Sequence, residues 1–148
     1  MSYLTQKTIK NTVLFSGIAL HSGKNVNIKI QPAEVDSGIV FKRVDLETKN
    51  LVYPNFMNVT NTSLNTTVEN EFGVKISTIE HLMGALFGLG IDNAFIEIDN
   101  EEVPILDGSA KIFIEKIIEA GVENTNAPIK IIKINKEIEY SDGERFIS

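Results

Sequence analysis

The adjacent residues Glu80 and His81 are the part of this sequence whose types and spacing most directly suggest chemistry. They lie in the segment Lys75–Leu82, where a helix is expected to begin, so a carboxylate and an imidazole share its first turn. A neutral imidazole can coordinate a metal ion, and a carboxylate beside it can take a proton from metal-bound water. This pattern is typical of a metal ligand next to a general base.

Two structural explanations compete with that interpretation: Glu80 could be part of a helix cap, and His81 could be an ordinary hydrogen-bonded polar residue. The spacing of Ser77 and Glu80 matches the capping box, in which Glu80 would only bond the Ser77 amide. A catalytic zinc ion needs about three protein ligands. The chain contains no cysteine and only two histidines, His21 and His81, so any zinc must be held by histidines and carboxylates. The residues alone leave both a catalytic half-site and a simple helix cap open.

The second histidine, His21, lies in the tight turn Leu20–Gly23. Loop residues often bind ligands on a rigid scaffold, although an exposed turn histidine is the simpler alternative. On the flank of the helix that carries His81, small residues follow at Gly84, Ala85 and Gly88. They either leave room beside the imidazole or let this helix pack closely against another.

The elements that must position these side chains begin with β structure. Apolar and polar residues alternate in a pattern that predicts strands in most of the first half of the chain. The predicted elements are a hairpin made of Thr8–Ile18, the turn His21–Lys24 and the strand Val26–Ile30, then strands at Ile39–Phe41, Ser63–Glu69 and Ala94–Ile98, with a loop at Pro54–Asn61.

Helical periodicity appears after Lys75 and again after the turn Asp107–Ser109, where Ser109 is a plausible N-cap. That turn could also bind an anion, but a capped strand-to-helix connection explains it more simply. Gly90 and Gly121 are placed to end the two helices. The apolar stripes comprise Ile79, Leu82, Met83, Leu86 and Phe87 in the first helix, and Ala110, Phe113, Ile114, Ile117 and Ile118 in the second. The pattern predicts an α+β fold, a small mostly antiparallel sheet with two amphipathic helices on one face.

The sequence after the second helix suggests a boundary. Val122–Pro128 is polar and resembles a linker, Ile129–Tyr140 resumes the alternation of a strand, and Ser141–Glu144 would turn that strand back. We therefore predict a first α+β domain at residues 1–126, followed at 127–148 by the opening strands of a second domain.

Composition narrows the possible functions. The 148 residues are 43% hydrophobic, which is enough for one buried core. The formal net charge of -6, the absence of Trp and the lack of a basic cluster argue against a nucleic-acid partner. No apolar run reaches the roughly 18 residues of a membrane span, and the N-terminus lacks the pattern of a secretory signal. We therefore expect a cytoplasmic protein without a membrane span.

Four blocks of the sequence resemble the signature segments of the UDP-3-O-acyl-N-acetylglucosamine deacetylases, which act in lipid A biosynthesis. The blocks are Gly17–Gly23, Ile76–Leu82, Gly88–Asn93 and Val103–Ala110. They occur in the order found in that family, and the likeness continues from about Thr8 into the segment after Pro128.

The resemblance implies a zinc-dependent hydrolase that removes acetate from UDP-3-O-acyl-N-acetylglucosamine. It implies that His81 is a zinc ligand and that Glu80 is the catalytic general base. It further implies that His21 lies beside the active-site cleft and that Leu20, Leu64 and Asn65 form a substrate-binding wall. In such a protein each of two domains is a sheet with two helices, and the helices lie between the sheets, so this chain would supply one half of a β-α-α-β sandwich.

The family's other zinc ligands, a His and an Asp, belong to a second domain that is not in this sequence, as do a second catalytic His and an oxyanion-stabilising Thr. We therefore expect a truncated form of the enzyme that binds zinc weakly and is inactive alone. Exposed helix faces or unpaired tail strands would favour a homo-oligomer. The alternative is that the chain is itself a non-catalytic binding or assembly module.

Overall fold

The computed structural model describes residues 4–148, so residues 1–3 of the predicted first domain lie outside the described part. Within it the helices are α1 (Glu80–Leu89) and α2 (Lys111–Ala120), with a short 3-10 helix at Phe56–Asn58. The strands are β1 (Thr5–Ile9), β2 (Val13–Ile18), β3 (Asn25–Gln31), β4 (Ile39–Arg43), β5 (Leu51–Val52), β6 (Val59–Asn61), β7 (Thr67–Glu69), β8 (Lys75–Ile76), β9 (Ala94–Ile98), β10 (Val122–Pro128), β11 (Tyr140–Asp142) and β12 (Arg145–Ile147).

Five strands form the main sheet in the order β2-β3-β9-β4-β5. Neighbouring strands are antiparallel except β4 and β9, which run parallel. On β3, Val26, Ile28 and Ile30 are buried and alternate with exposed polar residues, so one face of the sheet is apolar. The predicted α+β class with a mostly antiparallel sheet is therefore confirmed.

Both helices contribute to the same core as the apolar face of the main sheet. The rings of Phe15 on β2 and Phe113 on α2 pack with their centroids 4.9 Å apart. Leu82 and Leu86 of α1 and Ile117 of α2 are also fully buried in this cluster. The packing therefore joins both helices to the apolar face of the main sheet.

The apolar stripes are narrower than the sequence predicted. Phe87 is 88% exposed although its spacing placed it in the stripe of α1, and Ile118 of α2 is 58% exposed. Both lie at the edge of their stripe, so the buried face of each helix is narrower than its apolar face. The predicted ends of the helices are correct: Gly90 has φ 68° at the end of α1, and Gly121 follows α2.

The predicted strand Thr8–Ile18 is in fact two strands, β1 and β2. Strand β1 lies outside the main sheet because it pairs with β10, which occupies the segment predicted to be a polar linker. The amide of Lys10 donates to the carbonyl oxygen of Gly121 at 2.8 Å and holds this pairing in place. Strand β10 thus runs across residue 126, and the division of the chain into domains there stays a prediction.

Two further strand predictions were wrong in extent. The predicted strand Ser63–Glu69 is reduced to β7, because Leu64 has φ 63°, which is incompatible with an extended strand. Residues 129–139 have no regular secondary structure, where a strand had been predicted. The predicted turn that follows is confirmed, since Gly143 (φ 61°) connects β11 to β12.

The predicted loop at Pro54–Asn61 contains the 3-10 helix and β6, which pairs with β7; β7 in turn pairs with β8. Residue Ser109 does serve as a cap, because its Oγ accepts the amide of Lys111 at 3.0 Å. Within residues 4–148, no helix is both long enough and apolar enough to cross a bilayer.

Candidate active site

The start of α1 does not contain the capping box that the sequence offered as an alternative. The amide of Ser77 donates to the carbonyl oxygen of Glu101 at 2.8 Å, so it is not available to Glu80. Oε2 of Glu80 instead accepts the amide of Thr66 at 3.0 Å. The capping explanation of Glu80 is therefore wrong, and its carboxylate is held by a neighbouring loop.

The chain enters α1 through an unusual backbone conformation at Thr78. Ser77 is bonded as in a strand on both sides, since its amide donates to Glu101 and its carbonyl oxygen accepts the amide of Val103 at 3.0 Å. The helix begins two residues after Thr78, and Thr78 makes the change of direction with φ 56°. Left-handed backbone is rare for β-branched residues and costs about 1–3 kcal/mol.

Glu102 is a buried carboxylate beside that turn. Its side chain is 2% exposed, and its oxygens accept the amide of His21 at 2.8 Å, the amide of Ser22 at 2.9 Å and the hydroxyl of Thr78 at 3.1 Å. Burial acts to raise the pKa of Glu102, but the hydrogen bonds from His21 and Ser22 outweigh it, so the pKa lies below the ordinary glutamate value. Glu102 is therefore an ionised acceptor at neutral pH.

Backbone conformation and a backbone hydrogen bond define the turn that carries His21. Gly23 (φ 68°) makes the left-handed step of the turn, and its amide donates to the carbonyl oxygen of Ala19 at 3.0 Å. The side chains of Leu20 and His21 are exposed, with Leu20 57% accessible. Through Glu102, this turn is joined to the residue that leads into α1.

The loop that was expected to form part of the substrate wall is also tied to α1. Besides the contact of Thr66 with Glu80, the carbonyl oxygen of Thr66 accepts the amide of Ile79 at 3.4 Å. Leu64 is 88% exposed in the same loop. The side-chain oxygen of Asn65 accepts the hydroxyl of Thr67 at 3.0 Å, so that oxygen already has a partner.

The surface beside His81 is open. His81 is half-buried, and a Cβ added to Gly84 or Gly88 would meet no atom within 4 Å apart from its chain neighbours and the backbone of its own helix. Close packing against α2 therefore does not explain these two glycines, whereas Ala85 is fully buried in the core. Their small size leaves free space along the flank of α1 that carries the imidazole.

The donor set of the described residues does not make a complete metal site. Within residues 4–148, no group of three or more His, Asp or Glu side chains lies close enough to hold a metal ion. His81 can offer one imidazole ligand, and a catalytic zinc site needs about two more. The further ligands would have to come from outside these residues.

The structure brings the predicted site residues to neighbouring segments. Glu80 and His81 begin α1, the loop of Leu64 and Asn65 is bonded to that helix, and the turn of Leu20 and His21 is linked to it through Glu102. The sequence analysis missed both Glu102 and Thr78. Nothing in the sequence distinguishes the buried Glu102 from the exposed Glu101, and a threonine at position 78 does not predict a positive φ.

Comparison with known proteins identifies the family to which the sequence is similar. Residues 6–148 match the family model described as UDP-3-O-acyl N-acetylglycosamine deacetylase. The chain is 46% identical over 142 residues to a protein from Teredinibacter turnerae named UDP-3-O-acyl-N-acetylglucosamine deacetylase. The alignment covers 96% of this chain and 46% of that protein, so the chain spans about half the length of this curated relative. The chain belongs to the UDP-3-O-acyl N-acetylglycosamine deacetylase family.

Proposed function

We propose that this chain supplies the Glu80–His81 half-site of an enzyme that hydrolyses the acetamide of UDP-3-O-acyl-N-acetylglucosamine and releases acetate. This reaction belongs to lipid A biosynthesis, and we expect it to occur in the cytoplasm. The observation that carries the proposal is the start of α1, where Glu80 does not bond the Ser77 amide and is followed directly by His81. Membership of the deacetylase family supports the choice of substrate and reaction.

Glu80 is suited to the role of general base. The Thr66 amide holds its Oε2, while Oε1 forms no hydrogen bond within residues 4–148. One carboxylate oxygen thus fixes the orientation of the group and the other can accept the proton of an attacking water molecule. The same carboxylate can afterwards give that proton to the departing amine.

His81 is the residue of this chain that would hold zinc. It is the second residue of α1 and follows Glu80 directly, so both side chains project from the same first turn of a helix. A bound zinc ion supplies Lewis-acid polarisation of an amide carbonyl. Because the described residues lack a complete ligand set, we expect the complete protein, and not this chain alone, to bind zinc tightly.

The surrounding loops fit an acylated sugar nucleotide. Leu20 and Leu64 are exposed apolar side chains on two loops tied to the start of α1, where they can contact apolar parts of a substrate. His21 offers an exposed imidazole from the same turn as Leu20. The side-chain amide nitrogen of Asn65 can still donate, since only its oxygen is engaged by Thr67.

The direct test is an assay of the complete, zinc-loaded protein with UDP-3-O-acyl-N-acetylglucosamine, in which release of acetate and of the free amine is followed by mass spectrometry. We expect turnover that a chelator abolishes and zinc restores. Substrate left unchanged by the zinc-loaded protein would reject the proposal in favour of a non-catalytic binding or assembly module. An acetylated sugar nucleotide without the 3-O-acyl chain serves as the matched control substrate.

A further inference from the structure

The carboxylate of Glu102 is buried without a cationic partner among the described residues. Its oxygens accept hydrogen bonds from two backbone amides and one hydroxyl, at 2.8 to 3.1 Å. A buried charge is costly unless it is fully hydrogen-bonded, and three donors surround the Glu102 carboxylate. A core position that served packing alone would be filled more favourably by an apolar side chain.

The three donors come from two separate parts of the chain. His21 and Ser22 belong to the turn between β2 and β3, some 80 residues before Glu102, whereas Thr78 leads into α1. The segment that carries Glu102 also joins both parts through its backbone, because Ser77 pairs with Glu102 and Ala19 pairs with Pro104. Glu102 therefore lies where the His21 turn meets the start of the helix that carries Glu80 and His81.

We propose that Glu102 is a positioning residue of the deacetylase site, which rests on the function proposed above: its carboxylate clamps the His21 turn to the strained start of α1. The clamp fixes Thr78 in its left-handed conformation. It thereby sets the direction in which the side chains of Glu80 and His81 project from the first turn of α1. It also holds His21 on the same side of the site. The group acts through its neighbours and does not touch the reacting atoms.

The clamp requires a carboxylate, because both of its oxygens accept. Oε1 accepts from His21 and Thr78, and Oε2 accepts from Ser22. In Glu102→Gln one of these oxygens becomes an amide nitrogen that faces a donor, so at least one backbone amide loses its acceptor. The change keeps the volume of the side chain and alters only the hydrogen bonding.

Amide hydrogen exchange of the 148-residue chain tests the clamp without reference to activity. In Glu102→Gln we expect protection of the His21 and Ser22 amides to fall by about tenfold or more. Protection of the Thr66 amide, which reports the position of Glu80, should fall as well. Amides of the central strands β3 and β9 should keep their protection. An even loss of protection over β3 and β9 would mean a general loss of stability and would overturn the proposal.

Glu101→Gln is the matched control, because it makes the same chemical change one residue away. The Glu101 side chain is exposed and forms no hydrogen bond or ion pair within residues 4–148. Thr78→Val is a second variant for the case in which Glu102→Gln fails to fold. It retains the β-branched shape, removes only the hydroxyl, and leaves the two amide contacts of Glu102 in place.

In the complete zinc-loaded enzyme, we expect Glu102→Gln to lower kcat and raise KM, so that kcat/KM falls by about 10- to 100-fold. Thr78→Val should lower kcat with little change in KM, since it releases the helix start and not the His21 turn. Glu101→Gln should stay within about twofold of the parent. An active parent in which Glu102→Gln keeps its kcat/KM overturns this proposal alone, whereas an inactive parent overturns the proposed function.

Discussion

Replacement of Glu80 by glutamine separates the chemical role of this residue from its structural one. The glutamine side chain has the same size, and its oxygen can still accept the Thr66 amide that Glu80 holds at 3.0 Å. The variant loses one negative charge at the first residue of α1 and the proton-accepting capacity of the carboxylate. The structure therefore predicts a small loss of stability and a large loss of turnover.

The expected loss of stability in Glu80→Gln has two sources. A carboxylate at a helix N-terminus contributes about 0.3–1 kcal/mol through the helix dipole, and a charged acceptor strengthens the Thr66 hydrogen bond by about 1 kcal/mol. We expect Glu80→Gln to lower the free energy of unfolding by about 1–2 kcal/mol in total. Loss of a general base lowers kcat by about 10²- to 10⁴-fold, which corresponds to about 3–5 kcal/mol of transition-state stabilisation.

The control is Ser77→Ala, which removes an exposed hydrogen bond of 3.2 Å from Ser77 Oγ to the carbonyl oxygen of Glu101. It should cost about 0.5–1.5 kcal/mol of stability and leave kcat within a few fold of the parent. Unfolding is followed by circular dichroism in urea, and kcat by release of acetate from the zinc-loaded complete enzyme. Equal losses of kcat in the two variants would show that Glu80 acts only through the fold of the helix start, and the reasoning would fail.

Four further outcomes are expected. Phe113→Ala should destabilise the chain by about 3–5 kcal/mol in urea unfolding, because it empties the core contact with Phe15; a loss below 1 kcal/mol would contradict this packing. The isolated 148-residue chain should bind zinc only weakly by calorimetry and show no deacetylation, since His81 is a single ligand; turnover above a metal-free control would refute this. In light scattering at micromolar concentration the chain should be a homo-oligomer, through the exposed flanks of α1 and α2 or the apolar side chains of residues 129–147; a clean monomer that binds no hydrophobic dye would show otherwise. The lowered pKa of Glu102 stabilises the fold above the ordinary glutamate pKa of about 4.3, and this is lost as pH falls through the lower folded-state pKa. The difference in unfolding free energy between the parent and Glu102→Gln should therefore shrink in that acidic range, and a constant difference would contradict the assignment.

The fold could be predicted where local pattern and tertiary pairing agree. The alternation of Val26, Ile28 and Ile30 indicated β3 correctly, and the position of Gly90 indicated the end of α1. Prediction failed where pairing with distant residues decides the structure. Strand β10 is a polar segment that periodicity could not identify, because its hydrogen bonds to β1 and not an apolar face hold it in place.

In the candidate site, too, the sequence predicts features that depend on local pattern and misses those that depend on distant contacts. The Glu80–His81 pair could be proposed as a site from the sequence, because its residue types and its position at a helix start suggest the chemistry. The burial of Glu102 could not be predicted, since Glu101 and Glu102 are identical in type and adjacent, and only the fold decides which of them is buried. The capping box failed for a related reason: the Ser77 amide satisfies a distant carbonyl oxygen, which a local motif cannot reveal.

The two helices of this chain begin in contrasting ways, and the contrast bears on where function lies. Before helix α2, Ala110 makes no side-chain cap, but the preceding Ser109 accepts the Lys111 amide through its Oγ. Helix α1 has no side-chain cap at Ile79 and is preceded by Thr78 in a left-handed conformation beside the buried Glu102 carboxylate. The left-handed conformation of Thr78 and the missing cap are each unfavourable, and the missing cap alone forgoes about 1 kcal/mol. A sequence able to make the ordinary start at α2 has no folding reason to make the costly one at α1. The unfavourable start of α1 is explained if it orients the carboxylate and the imidazole that follow it. Strained backbone persists where surrounding contacts hold it for function.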